Sequence, residues 1–241
     1  MIVEKDRIVK RELAEHELVR RSNGDALRPF WVRERLRNEA ATLEFVASNT
    51  TIPVPKCRLY TKNGLLHLET KRIENGVVLT EIREDEREAA AAAVKEQIES
   101  EILPQLHKLR RSSIGSVDLS LPVFPPQRVY DYDRRSWPRI SSDADEFVLC
   151  HNDLGPQKIF VHPDTYHIVG IVGWEFAGFF PKYFELPLWK EFDWKKRQAV
   201  CDKANERELA FFGLKAEDLQ DDLLPDCPSD SALRSTVAAM N

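Results

Sequence analysis

Three short apolar runs crowd the middle of the chain: Phe147-Val148-Leu149-Cys150, then Ile159-Phe160-Val161, then Ile168-Val169-Gly170-Ile171-Val172. Runs of β-branched and aromatic residues this short, bounded by Pro, Asp and Gly, are strand signals. The polar cluster His151-Asn152-Asp153 separates the first run from the second, and His162-Pro163-Asp164 turns the second into the third. The expected layout is a strand, a loop carrying Asp153, and a hairpin that returns Gly173-Trp174-Glu175 beside that loop. A carboxylate on a loop held between strands is where a general base is placed.

Elsewhere the pattern alternates between strand and helix periods. Residues 2–13 are expected as a strand centred on Ile8-Val9-Lys10, and 14–31 as an irregular connection. Residues 32–48 have helical spacing, with Leu36, Ala40, Leu43 and Ala47 on one stripe. Glu39 falls on the same stripe. Facing a core it needs a cationic partner; at the stripe's edge it is solvated. Residues 50–56 end the helix with prolines, and 57–60 pairs with 65–70 as a hairpin across Lys62-Asn63-Gly64. Residues 83–111 predict a long helix with Val94, Ile98, Ile102, Leu106 and Leu109 on one face, kinked at Pro104. Residues 112–146 show no regular period. Their Tyr130, Tyr132 and Trp137 either line a cleft or pin the loop to the body. After Glu175 comes a run dense in aromatics, including Phe176, Phe179, Phe180, Tyr183, Phe184, Trp189, Phe192 and Trp194. Side chains of this kind are mostly core, and some are expected to wall an apolar pocket. Residues 195–213 predict another helix, and 214–241 a short acidic helix with a fraying tail.

Composition narrows the classes. The 241 residues, 42% hydrophobic and 31% charged, suit a globular protein. A net charge of -5 gives no electrostatic reason to expect a nucleic acid or an anionic membrane as partner. The apolar runs fall short of a membrane span, and the first seven residues are too charged for a signal peptide. Cys57, Cys150, Cys201 and Cys227 are scattered, with no pair in zinc spacing. The expectation is a cytoplasmic protein with reduced thiols and no metal.

The motifs resemble a known family. His151-x-Asp153, followed by four residues and then position 158, resembles the HxDxxxxN catalytic loop of the aminoglycoside phosphotransferase and choline kinase-like proteins. Ile171-Val172-Gly173-Trp174-Glu175 resembles their I-[IV]-D-W-E segment, continued by residues 176–181 in the style of the fungal branch. Thr50-Thr51-Ile52-Pro53-Val54-Pro55 is similar to their T-x-I-P-V-P turn, and Ile8-Val9-Lys10 to their V-V-K strand. The resemblance covers roughly residues 8–195. It implies an α+β, two-lobed protein-kinase-like fold with a reduced N-terminal lobe. Residues 1–76 would form a small antiparallel sheet with one helix, and 77–241 a mostly helical lobe. It further implies Asp153 as base, Lys10 as the phosphate-binding lysine paired with Glu39, and a substrate cleft walled by the region around Trp174, Glu175, Phe179 and Phe180.

The chain departs from the family at both metal positions. Lys158 stands for the loop asparagine and Gly173 for the metal aspartate. Magnesium needs oxygen ligands, which a charged lysine and a glycine cannot offer. The first glycine is Gly24, so the nucleotide lid is expected to be shortened or absent. Three readings follow. In the leading one the fold is reused for metal-free, cofactor-free chemistry on an apolar biosynthetic intermediate, a cyclisation or rearrangement with Asp153, Lys158 and His151 as the reactive groups. In the second it is a non-catalytic pseudokinase, and in the third an active small-molecule phosphotransferase. Lys158 is expected to pair with Asp153, favouring an electrostatic role over proton abstraction. The wall, with Glu185, Glu191 and Asp193 as its acids, does not suit an aminoglycoside polycation.

Overall fold

The computed structural model describes residues 1–20, 22–130 and 136–215, with Tyr130 described in its backbone alone. Tyr132 and the acidic segment from residue 216 onward lie outside the described residues. The small lobe is a four-stranded antiparallel sheet of β1 (Ile2–Val3), β2 (Arg7–Arg11), β3 (Cys57–Lys62) and β4 (Leu65–Lys71), in the order β1-β2-β4-β3. The strand expected over 2–13 is two strands, because the polar Glu4-Lys5-Asp6 has no alternation to continue it; the Glu4 amide turns back onto Arg7 O at 2.9 Å. The β3–β4 turn places Asn63 at φ 53° and Gly64 at φ 78°, the left-handed pair that a two-residue hairpin requires.

Helix α1 (Val32–Asn49) lies across this sheet and is buried on two sides. Leu36 and Ala40 pack on Leu66 and Leu68 of β4. Asn38, Thr42 and Val46 are buried as well, on the side toward the Trp174 segment and the large core, whereas Ala47 is exposed. The expected stripe therefore bends from Leu43 to Val46, and polar Asn38 and Thr42 join it.

The larger lobe carries more strand than expected. β5 (Val77–Val78), β8 (Ile159–Val161) and β9 (Ile168–Ile171) form one three-stranded sheet, and β6 (Arg110–Arg111), β7 (Phe147–Cys150) and β10 (Gly178–Phe180) another. Its helices are α2 (Arg87–Gln97), α3 (Leu103–Lys108), the single turn α4 (Gln127–Tyr130) and α5 (Trp194–Phe211). Between α2 and α3 the backbone widens into a π-helical turn, Ile98–Ile102. Pro104 lacks an amide hydrogen and its ring presses on the turn before it, so the kink expected there takes the form of a bulge. Asp193 caps α5 by accepting the amides of Lys195 at 2.7 Å and Lys196 at 3.4 Å. Among the described residues no helix is long and apolar enough to cross a membrane.

One core joins the lobes. Leu43, Val46 and Ile52 share it with Ile98, Leu149, Ile171, Trp174 and Phe179. Trp137, Trp174, Phe179 and Phe180 are 4%, 0%, 1% and 1% exposed. Trp137 packs on Phe212 at 4.1 Å between ring centres, Phe179 meets Phe45 edge-on at 6.0 Å, and Phe180 stacks on Phe184 at 5.2 Å. These four aromatics are packed in the interior, on the core side of the two alternatives for the aromatic run. Rings this large lower the free energy most when every face touches another side chain.

Replacing Phe179 with Ala is therefore expected to cost about 3–5 kcal/mol of stability, read as a lower urea midpoint with an unchanged slope. A midpoint equal to that of the parent protein would place Phe179 on a wall instead.

Candidate functional site

The site is built on the loop that leaves β7. His151 is fully buried, and both ring nitrogens are engaged. Nε2 lies 3.0 Å from Val172 O, and Nδ1 accepts the Asp153 amide at 3.2 Å. That pattern assigns the neutral tautomer protonated on Nε2. Burial is the main reason the ring's pKa falls to about 4, with Asp153 opposing it and Lys158 adding to it. The ring packs against Trp174 with centres 4.5 Å apart. His151 thus shapes the loop from within the interior.

The next residue, Asn152, takes φ 66°, a conformation asparagine tolerates better than most side chains. Its side-chain amide donates to Phe176 O at 3.0 Å. Glu185 closes the loop from the other side: one carboxylate oxygen accepts the amide of His151 in a short hydrogen bond and that of Asn152 at 3.4 Å. Burial pushes the Glu185 pKa up to about 7 against the pull of those amides and of Arg128. Arg128 of α4 is itself buried against Glu208 of α5, and it donates to Asn152 O at 3.1 Å and Phe184 O at 2.8 Å. Neither Arg128 nor Glu208 was singled out from the sequence. The signal for Glu208 was available, since Cys201, Ala204 and Glu208 share one helical face and all three are buried.

Asp153 and Lys158 face each other within this frame. Lys158 Nζ lies 3.1 Å from Asp153 Oδ2, with the side chains 21% and 14% exposed. The lysine reaches Asp153 through space that any side chain at position 173 would contest. A Cβ built on Gly173 would sit 2.9 Å from Lys158 Cδ and 3.0 Å from Nζ. Gly173 also holds φ 80°, where a side chain is strained. Burial works against the ammonium, but Asp153, Glu175 and Glu39 outweigh it and raise its pKa above the ordinary lysine value.

The small lobe supplies the rest. Glu39 is 2% exposed and accepts Lys10 Nζ at 2.8 and 2.7 Å through its two oxygens, so the stripe carboxylate faces inward with a partner. Arg35, one turn earlier on α1, reaches Glu175 at 3.2 Å. Asn38 donates to Glu175 O at 3.0 Å and to Ala177 O at 2.9 Å. Lys10, Glu39, Asp153, Lys158, Trp174 and Glu175 are thus brought together; Trp137, Phe179 and Phe180 belong to the interior.

The residues present do not fit the magnesium that a kinase-like fold implies. At the two positions in question stand an ammonium, which has no lone pair, and a glycine filled by that ammonium's stem. Among the described residues no group of three or more His, Cys, Asp or Glu is placed to hold a metal ion. Surface concavities of about 240, 340 and 160 Å³ lie respectively at Glu12–Glu34, at Phe147–Tyr183–Phe211 and at Lys10–Arg35–Glu175. None of the three is lined by Asp153, Trp137, Trp174, Phe179 or Phe180.

The raised Glu185 pKa carries a sign. A carboxyl that holds its proton to about pH 7 when folded, against 4.5 as its ordinary value, favours the folded state most below pH 4.5. That contribution is lost as the pH rises through 7. Urea unfolding of the parent and of Glu185→Gln is expected to show the difference moving in favour of the Gln variant between these two pH values. A difference that stays flat would mean the carboxyl titrates normally.

No family model and no curated protein sequence matches this chain. Solved structures similar to it include an aminoglycoside-3'-phosphotransferase of type VIII, at 17% identity and a TM-score of 0.42, covering 74% of this chain and 78% of that one. A GDP complex of an aminoglycoside 2'-phosphotransferase IIIa mutant gives 12% identity and 0.45, covering 78% and 76%. A thermostable mutant of aminoglycoside phosphotransferase APH(4)-Ia gives 14% and 0.41, covering 75% and 69%. In this chain a strand lysine paired with a helix carboxylate stands beside a loop aspartate and the hairpin that returns to it.

Proposed function

We propose that this chain is a kinase-fold protein that does not perform magnesium-dependent phosphoryl transfer and acts as a non-catalytic binding module. The observation that carries this reading is the seat of Lys158. Phosphoryl transfer rests almost wholly on positioning and on neutralising charge between the phosphates. At this position the charge is an ammonium paired with Asp153, and its stem fills the room that a metal-binding side chain at 173 would need. The same pairing turns an Asp153 oxygen toward a cation, where a base would need that oxygen free for a substrate hydroxyl. The interior placement of Trp137, Phe179 and Phe180 removes the aromatic wall on which the apolar-substrate reading leaned.

Calorimetry with ATP and magnesium is expected to show no binding that depends on the metal. Micromolar affinity abolished by chelation, or transfer of the γ-phosphate to any small acceptor, would overturn the reading.

A second reading keeps metal-free chemistry on a small apolar metabolite. It is favoured by the partial exposure of the Asp153 and Lys158 side chains, which leaves an acid–base pair within reach of solvent. Metabolite extracts incubated with the protein separate the two by mass spectrometry. Consumption of an apolar compound by the parent but not by Asp153→Asn, unaffected by chelator, would replace the binding-module reading. No compound consumed by either protein is the outcome expected.

A further inference from the structure

Three successive backbone carbonyls, those of Glu175, Phe176 and Ala177, are taken by two asparagine side chains that come from different lobes. Asn38 of α1 donates to Glu175 O at 3.0 Å and to Ala177 O at 2.9 Å. Asn152, on the loop that leaves β7, donates at 3.0 Å to the carbonyl between them, Phe176 O. Both asparagines are buried, at 0% and 1% exposure, and so are Phe176 and Ala177. A carbonyl withdrawn from water needs a donor, and a carboxamide brings two N–H groups on one nitrogen. The donor half is what the fold draws from each residue: among the described residues neither Asn38 Oδ1 nor Asn152 Oδ1 accepts a hydrogen bond.

The gripped segment is short and well defined. Trp174–Phe176 is a single 3₁₀ turn, closed by the Ala177 amide on Trp174 O at 3.1 Å. The Trp174 indole donates to Ile171 O at 2.9 Å, and its ring packs on His151. On the small-lobe side, Arg35 of α1 lies 5.6 Å from the Phe176 ring centre and 3.2 Å from the Glu175 carboxylate. Arg35 and Asn38 stand at i and i+3, on one face of the helix. On the large-lobe side, Asn152 immediately precedes Asp153, and its own carbonyl accepts Arg128 at 3.1 Å. The turn is thus bonded to the small lobe through one asparagine and to the Asp153 loop through the other.

We propose that Asn38 and Asn152 act together as an amide clamp through which α1 sets the position of the Asp153 loop. Asn38 is then a positioning residue, acting on the loop through the turn that both side chains hold. Hydrogen bonds weaken steeply when misaligned, so a shift of α1 either carries the turn with it or breaks the bonds to Glu175 O and Ala177 O. Coupling of this kind is reciprocal: what fixes the loop from the helix also fixes the helix from the loop. The clamp holds under either functional reading, since it concerns where the Asp153–Lys158 pair is held and not what that pair does.

Site-resolved hydrogen exchange on the full chain tests this, followed at the His151 and Asn152 amides and along α1. Asn38→Ala removes both small-lobe donors. Leu36→Ala, which loosens the packing of α1 on Leu66 and Leu68, is the control for a small lobe that is merely destabilised. Asn38→Ala is expected to speed loop exchange about tenfold, and Leu36→Ala to leave it within about twofold. Asn38→Asp, of the same shape but with no N–H to give, is expected to match Asn38→Ala. Asn152→Gly keeps the left-handed backbone and removes the amide. Combined with Asn38→Ala, its effect is expected to fall short of the product of the two single effects, the signature of coupled sites. No acceleration in Asn38→Ala, an equal one in Leu36→Ala, an Asn38→Asp that exchanges like the parent, or single effects that multiply would each overturn the clamp. Should the Asn38 variants fail to fold, Asn152→Gly decides from the other side: faster exchange along α1 supports the clamp, and α1 amides that exchange as in the parent remove it.

Discussion

Lys158 and Gly173 form a single spatial arrangement. The lysine stem passes through the volume that a Cβ at 173 would need, and the glycine's left-handed backbone admits no ordinary side chain without strain. Replacing either residue alone is therefore a poor step. A side chain at 173 meets the lysine, and a shorter residue at 158 gives up the ion pair with Asp153. The two residues, separate in sequence, are neighbours in space. Their common product is an ammonium held beside Asp153.

The loop that receives this charge is unusually tied. Glu185 takes two successive amides, His151 spends both ring nitrogens on backbone, and Arg128 holds Asn152 O while anchored by Glu208. Buried charges are costly unless paired with good geometry, and breaking such a pair by removing one member is more damaging than never having had it. Arg128 and Glu208 therefore serve register and rigidity more than net stability. Those ties fix the loop's backbone, so Asp153 meets Lys158 from a defined position.

What sets the interior apart is how fully it takes in four phenylalanines after Glu175, while Trp194 stays 65% exposed. Phe176, Phe179, Phe180 and Phe184 are all essentially inaccessible, and Arg111 lies over the Phe179 ring at 4.2 Å. Arg139, which donates to three backbone carbonyls, staples residues 114–121 over the same region. Among the described residues, rings and arginine stems fill the region around Phe179.

Local patterns alone carried much of the architecture. Strands at 147–150, 159–161 and 168–171, the Asn63-Gly64 hairpin and the helix from Val32 follow from periods and turn chemistry that act over a few residues. Glu39 was only half legible: its place on an apolar stripe left it paired or solvated, and the contact with Lys10 decides between them. Other features depended on residues far apart in the chain. Whether Phe179 lines a cleft or fills a core depends on Phe45 and Arg111, and nothing within its own segment distinguishes the two. Burial of Asn38 and Thr42 was hidden because hydrophobic patterns do not register polar groups satisfied by a distant backbone. The pairing of Lys158 with Asp153 was within reach of local spacing. That its stem fills the vacancy at Gly173 was not, because a void is a property of packing, created only when the hairpin closes on the loop.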